Sequence, residues 1–188
     1  MGFLTPNASG ELEVIKTFAL QQLAQIRTTV VGLNDEQAHA TPTASALNLT
    51  GLLLHAGEVG VHWSARAASA PHPLKVPEDL PEDLQKVEYL LERLLKDSRS
   101  LSDTLVFFDR CVQVTEANLD AVSDLSAAVP VPPAPWIPKE ITHWEARWCL
   151  MHLCTEIARH AGHADIIRET LDGKGSFELN DLADAETA

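Results

Sequence analysis

Four side chains able to hold a cation crowd one segment near the end of the chain: His152, Glu156, His160 and His163 in ITHWEARWCLMHLCTEIARHAGHADIIRETLDG. At ~100° per residue and with Glu156 as zero, His152 lies ~40° to one side, His160 ~40° to the other and His163 within ~20°, so a helix would carry all four on one face. Glu156 and His160 are four apart, which puts their Cβ atoms about 6 Å from each other, near enough for a carboxylate and an imidazole to converge on one ion. One helix rarely encloses an ion alone. A second stretch, TGLLLHAGEVGVHW, offers His55 and, two turns later, His62, with Glu58 beside them. His55 is flanked by Leu53, Leu54 and Ala56, which turns its ring toward an interior. The alternative use of such residues is structural, because an imidazole on an apolar helix face commonly sits in a core and hydrogen-bonds a carbonyl.

Two neutral imidazoles and a carboxylate would leave a divalent ion with reduced charge and an open position, the mark of catalytic rather than structural sites. Water there would give hydroxide for hydrolysis, and a thiol there would ionise to a nucleophile for S-transfer or isomerisation. Nitrogen and oxygen donors suit Zn, Ni, Fe and Mn alike, with Zn the first expectation. Cys149 falls within ~20° of the Glu156 direction, but a buried free cysteine usually acts as a small hydrophobe. Trp144 and Trp148 are four apart and could wall a pocket or simply pack; Trp63 and Trp136 could line its mouth.

The elements that must position these groups are helical. Leu12, Ile15, Phe18, Leu23, Ile26 and Val30 recur at steps of three to five, predicting a helix from about Ser9 to Val31, stopped near Gly32. The following LNDEQAHATPTASALN reads as turns, with Asn48 as the N-cap of a second helix running to Ala68. That helix contains Gly51, Gly57 and Gly60, each costing up to about 1 kcal/mol relative to Ala, so close packing must compensate. A Pro-rich connection over 69–82 leads to a shorter helix within DLQKVEYLLERLLKD, and a longer one starts with Ser102 as its cap. Five prolines between Val129 and Lys139 carry the chain across an end of the bundle, and the last helix runs from Thr142 to about Leu171, closed by Asp172 and Gly173. No run alternates as a sheet would need. The expected architecture is all-α: four long helices with a crossover and one additional short helix over 1–173, followed by a loosely attached acidic tail over 174–188.

Composition narrows the function classes. The 188 residues suffice for one domain, and 14 basic against 27 acidic residues give a net charge of −13, which disfavours nucleic acid and anionic membrane surfaces. No signal-peptide pattern or membrane-length apolar run is present, and three cysteines without a CxxC pair fit free thiols in the cytoplasm.

The pairing of TGLLLHAGEVGVHW with RWCLMHLCTEIARHAGHADIIRETLDG resembles the DinB-like superfamily, in particular an actinobacterial branch related to mycothiol-dependent maleylpyruvate isomerase and the mycothiol and bacillithiol S-transferases. The resemblance spans roughly residues 10–173, is strongest over the last helix, and is weak from Ala68 to Ser102. It implies a four-helix bundle with one divalent ion, whose ligands here would be His55 from the second helix and the Glu156–His160 pair from the last. His163 stands where many relatives have Gln, implying a group beside the ligands or facing the substrate, and an imidazole there is a candidate proton shuttle. His152 is a reserve ligand. A low-molecular-weight thiol of the mycothiol type is the implied cosubstrate, with Arg159, Trp144 and Trp148 as candidates to bind it, and Arg147 and Arg168 as further cations that could meet carboxylates. The implied function is thiol S-transfer or isomerisation on a small molecule, in a protein whose relatives are commonly homodimers. The competing readings are a non-catalytic metal-binding or stress-related interaction bundle and a metal-dependent hydrolase. A di-iron bundle would need repeated ExxH motifs, which the order of residues does not supply.

Overall fold

The structure is a computed structural model that describes residues 3–74, 94–132 and 137–186. Among them six helices and two short strands follow in order: α1 Glu11–Thr28, α2 Asp35–His39, α3 Leu49–Ser69, α4 Leu101–Ala121, β1 Ala128–Pro130, β2 His143–Glu145, α5 Ala146–Asp172 and α6 Ser176–Glu186. The long helices α1, α3, α4 and α5 make the bundle. Helix α3 packs on α4 and α5, and α1 packs on α5.

Helix α3 is the centre. Every residue from Leu49 to Ala67 is buried, so it has no solvent face and must take its polar residues inside. The Asn48 side chain accepts from the Gly51 N–H and starts the helix where expected. Its glycines serve close approach: a Cβ at Gly57 would lie 3.0 Å from Cys111 Sγ, and one at Gly60 would lie 2.7 Å from Thr115 Oγ1. Both neighbours are on α4, which therefore rests directly on the α3 backbone.

The structure corrects the expected elements in four places. Residues 35–39, read as turns, form α2, because its N-cap Asn34 and Gln37 close a reciprocal capping box. Helix α4 is capped by Ser100, whose hydroxyl accepts from the Asp103 N–H, rather than by Ser102. The last helix begins at Ala146, not Thr142, because residues 143–145 pair antiparallel with 128–130, Val129 opposite Trp144. The carbonyls of Ala127 and Leu125 accept from the N–H groups of Ala146 and Arg147, so the incoming connection satisfies the helix end in place of a side-chain cap. The tail, expected to be loose, forms α6: Leu179 is buried against α1, and Asn180 exchanges side-chain hydrogen bonds with Gln25. The left-handed Gly173 between α5 and α6 ends α5 as expected. Apart from its last residues, the helix expected in 83–97 lies outside the described residues, as does Trp136.

Candidate metal centre

The bundle brings His55 of α3 against Glu156 and His160 of α5. One ligand atom from each lies within 4.8 Å of the others, and no other group of three such side chains converges among the described residues. Both imidazoles aim at the same oxygen: His160 Nε2 lies 3.2 Å and His55 Nε2 3.5 Å from Glu156 Oε1. The two rings meet edge to face with centroids 4.7 Å apart. His55 Nε2 is buried and has no well-formed hydrogen bond, since 3.5 Å is at the limit of one. Two nitrogens and a carboxylate oxygen that converge yet leave a buried nitrogen unsatisfied are the donor set of a divalent cation, and the residues fit one.

The electrostatics agree. Burial lowers the pKa of His55, with Glu156 opposing in part. Burial and then the His55 charge lower that of His160. Both rings are therefore neutral, lone-pair donors at pH 7. Burial acts to raise the Glu156 pKa, but the attraction of His160 and His55 prevails and holds it below the usual carboxylate range.

Position along the helix axis, rather than phase, decides which expected residues reach the site. His163, two turns beyond Glu156, stands with its Nδ1 3.4 Å from His160 Nδ1 and is not in the converging group. Were His160 Nε2 to bind an ion, its Nδ1 would carry the proton and could donate to His163 Nδ1, which would hold the tautomer and ring orientation. His152, one turn before Glu156, is not in the converging group; it stacks parallel to Trp148 at 5.5 Å and meets Trp63 edge-on at 4.4 Å. His62 and Glu58 are buried in α3 and stand outside the group. Burial first, then Arg66, lowers the pKa of His62 to about 4. Cys149 and Cys154 are free thiols whose pKa burial pushes up to about 12 and about 11, so they are not thiolate ligands.

A cavity of about 490 Å³ opens from His55 and Glu156. Its α3 wall is the stripe His55, Val59, Trp63 and Arg66, and its α5 wall is Trp148, His152 and Glu156; Trp144, Pro132 and Ile137 cover it from the connection. Trp144 and Trp148, expected at the site, both face this space, although Trp144 arrives on β2 rather than on the helix. Arg159 is exposed and is not among the lining residues. Arg147 pairs with Glu11 and Glu145 instead. Arg168 is buried as a clamp, donating to the carbonyls of Thr29 and Val31 and to Asp172. The cation that does line the cavity is Arg66, which the sequence reading did not single out. Its signal was its phase: eleven residues after His55, it lies ~20° from it on the helix wheel.

Two comparisons bear on this arrangement. A family model described as Mycothiol-S-transferase matches residues 14–173, a span that contains all but the first residues of the bundle and all three converging ligands. The chain belongs to the mycothiol-S-transferase family. The crystal structure of a conserved protein from Enterococcus faecalis is similar to this family member at 17% identity with a TM-score of 0.60, over 89% of this chain and 100% of that one, and it shows the fold alone. No curated protein matches the chain. Among the described residues, no helix is long and apolar enough to cross a membrane.

Proposed function

We propose that the protein is a metal-dependent S-transferase that joins a low-molecular-weight thiol of the mycothiol type to an electrophilic small molecule. The observation that carries the reading is the His55–Glu156–His160 group at the end of an aromatic cavity, in a chain of this family. These three residues would hold one divalent ion; zinc is the first to try, and nickel, iron and manganese suit the same donors. Bound there, the ion would lower the pKa of a thiol and present it as thiolate.

The chain's own residues do the rest. Glu156 stays ionised and supplies the one negative charge of the ligand set. With the ion bound, His163 would accept from His160 Nδ1–H and so leave the Nε2 lone pair of His160 free for the ion. His163 is thus a positioning residue; the proton-relay role is served better by His152, the cavity-facing imidazole not among the ligands. The tryptophans keep water from the reacting sulfur, which would otherwise compete with it. An acidic surface and free thiols suit a cytoplasmic enzyme that acts on small molecules rather than on nucleic acid or membranes, and a homodimer is the assembly to look for.

The test is conjugation of mycothiol to 1-chloro-2,4-dinitrobenzene by metal-loaded protein, read by mass spectrometry. The conjugate is expected to require the metal and to be lost in His160→Ala. Tight metal binding with no conjugate from this or other electrophiles would make the protein a metal-binding bundle instead.

A further inference from the structure

Among the described residues two arginines are almost completely buried, and they differ in one respect. Arg168 is bonded to two carbonyls and to the Asp172 carboxylate. Arg66, 7% exposed, meets no carboxylate among the described residues, and its Nε is buried without a hydrogen-bond partner. Its guanidinium carbon lies 5.8 Å from the Trp63 ring, and the residue lines the cavity. A buried cation left uncompensated costs several kcal/mol, which a fold carries only where something else supplies the charge.

The cavity between Arg66 and Glu156 restricts what that something is. Trp144 and Trp148 stack at 4.9 Å and 13°, and His152 continues the stack parallel to Trp148. Trp63 closes the space at an angle to both tryptophans. Parallel rings beside an open space offer an offset-stacking face to another planar ring. The remaining described lining is mostly apolar, and with His55 and Glu156 committed to the ion, polar side-chain atoms come from Arg66, His152 and the indole N–H groups of the tryptophans. Such a wall, with few hydrogen-bond acceptors, would leave most hydroxyls of a sugar-like thiol unsatisfied. Eleven residues separate His55 from Arg66, about 16 Å of helix axis, and helical side chains lean back toward the N-terminus, which brings the guanidinium over the Trp63 ring at the far end of the stripe from the ligand group.

We propose that this cavity is the subsite of the electrophile, and that it selects a planar aromatic bearing an anionic group, the ring held by the tryptophans and the anion by Arg66. The assignment to the electrophile rests on the S-transfer reading; the binding preference does not.

The binding test uses an unreactive probe, 3,5-dinitrobenzoate, against its neutral methyl ester, followed by tryptophan fluorescence quenching on the full chain with and without zinc. The carboxylate is expected to bind at least about tenfold more tightly than the ester, the weight of a charge-assisted contact. Arg66→Met is expected to remove that difference while leaving the ester unchanged, and Arg66→Lys to restore part of it. Trp148→Leu weakens both probes. Equal affinity for acid and ester in the parent protein, or a preference that survives Arg66→Met, overturns the proposal.

The reactive counterpart is 4-chloro-3,5-dinitrobenzoate with mycothiol: the aryl C–S bond forms as the C–Cl bond breaks, chloride leaves, and the thiol proton passes to solvent. A charge preference in binding without conjugate leaves the anionic-aromatic site standing and sinks S-transfer. Conjugate formed from acid and ester with equal KM does the opposite.

Discussion

Replacing Glu156 by Gln separates the metal reading from the stability of the bundle. The amide keeps the shape and can still hydrogen-bond the imidazoles, and the Glu156 side chain is 28% exposed, so the metal-free variant should melt within about 2 °C of the parent. The ligand charge, however, is gone. An ion that binds only the folded chain stabilises it by about 4 kcal/mol when present at a thousand times its Kd. For a chain of this length that raises Tm by about 8–16 °C. Losing a partner of a ligand commonly weakens metal binding 10–100-fold, so losing the ligand itself should cost about 100-fold or more. At the same metal concentration the gain then falls to about 1.4 kcal/mol or less, a rise of no more than about 3–6 °C. The assay is thermal melting by circular dichroism after chelator treatment, with zinc, nickel, manganese or ferrous iron added back. A parent protein whose Tm none of these ions moves, or a variant whose rise equals the parent's, would refute the three-ligand site.

Three further outcomes follow from the packing and the buried charges. Gly57→Ala sets a Cβ 3.0 Å from Cys111 Sγ and 3.1 Å from Cys111 Cβ; overpacking of about 1–3 kcal/mol should outweigh the roughly 1 kcal/mol of helix propensity gained, and Cys111→Gly, which removes both atoms, should relieve the clash in a double-mutant cycle of urea melts. Arg168→Met leaves the Thr29 and Val31 carbonyls without this donor and Asp172 without its guanidinium, so unfolding free energy should drop by about 3–5 kcal/mol in urea titration; an unchanged midpoint would deny the clamp. The His62 pKa is about 4 in the folded chain against 6.5 unfolded, so the unfolded state takes the proton first and stability falls as pH drops from 6.5 toward 4. That gap amounts to roughly 3 kcal/mol. His62→Leu in metal-free buffer should flatten the dependence between pH 7.5 and 4.5, and parallel curves for parent and variant would contradict it.

What the sequence by itself determined is local. Asn48 caps α3 and Gly173 ends α5 because capping acts within a turn of the residue concerned, and the Glu156–His160 spacing was legible because the helix repeat alone puts residues four apart on one face. Even some local signals were outweighed. Ser100 and Ser102 both suit a cap, and residues 143–145 have too short a run to show the alternation of a strand. Leu179 anchors α6 only because α1 offers it a surface.

Tertiary structure decided the rest. His55, His62 and Glu58 are all plausible ligands on α3, but the line along which α3 meets α5 selects His55 and leaves the other two elsewhere in the core. The same packing turned Arg168 into an interior clamp and left Arg66 facing the cavity; the phase of Arg66 with His55 marked its face, but only the packing shows that this face borders a cavity. Helical phase within a segment is set by backbone hydrogen bonds between near neighbours. Which faces then come together depends on burying surface contributed by residues a hundred positions apart, and that is where this site is made.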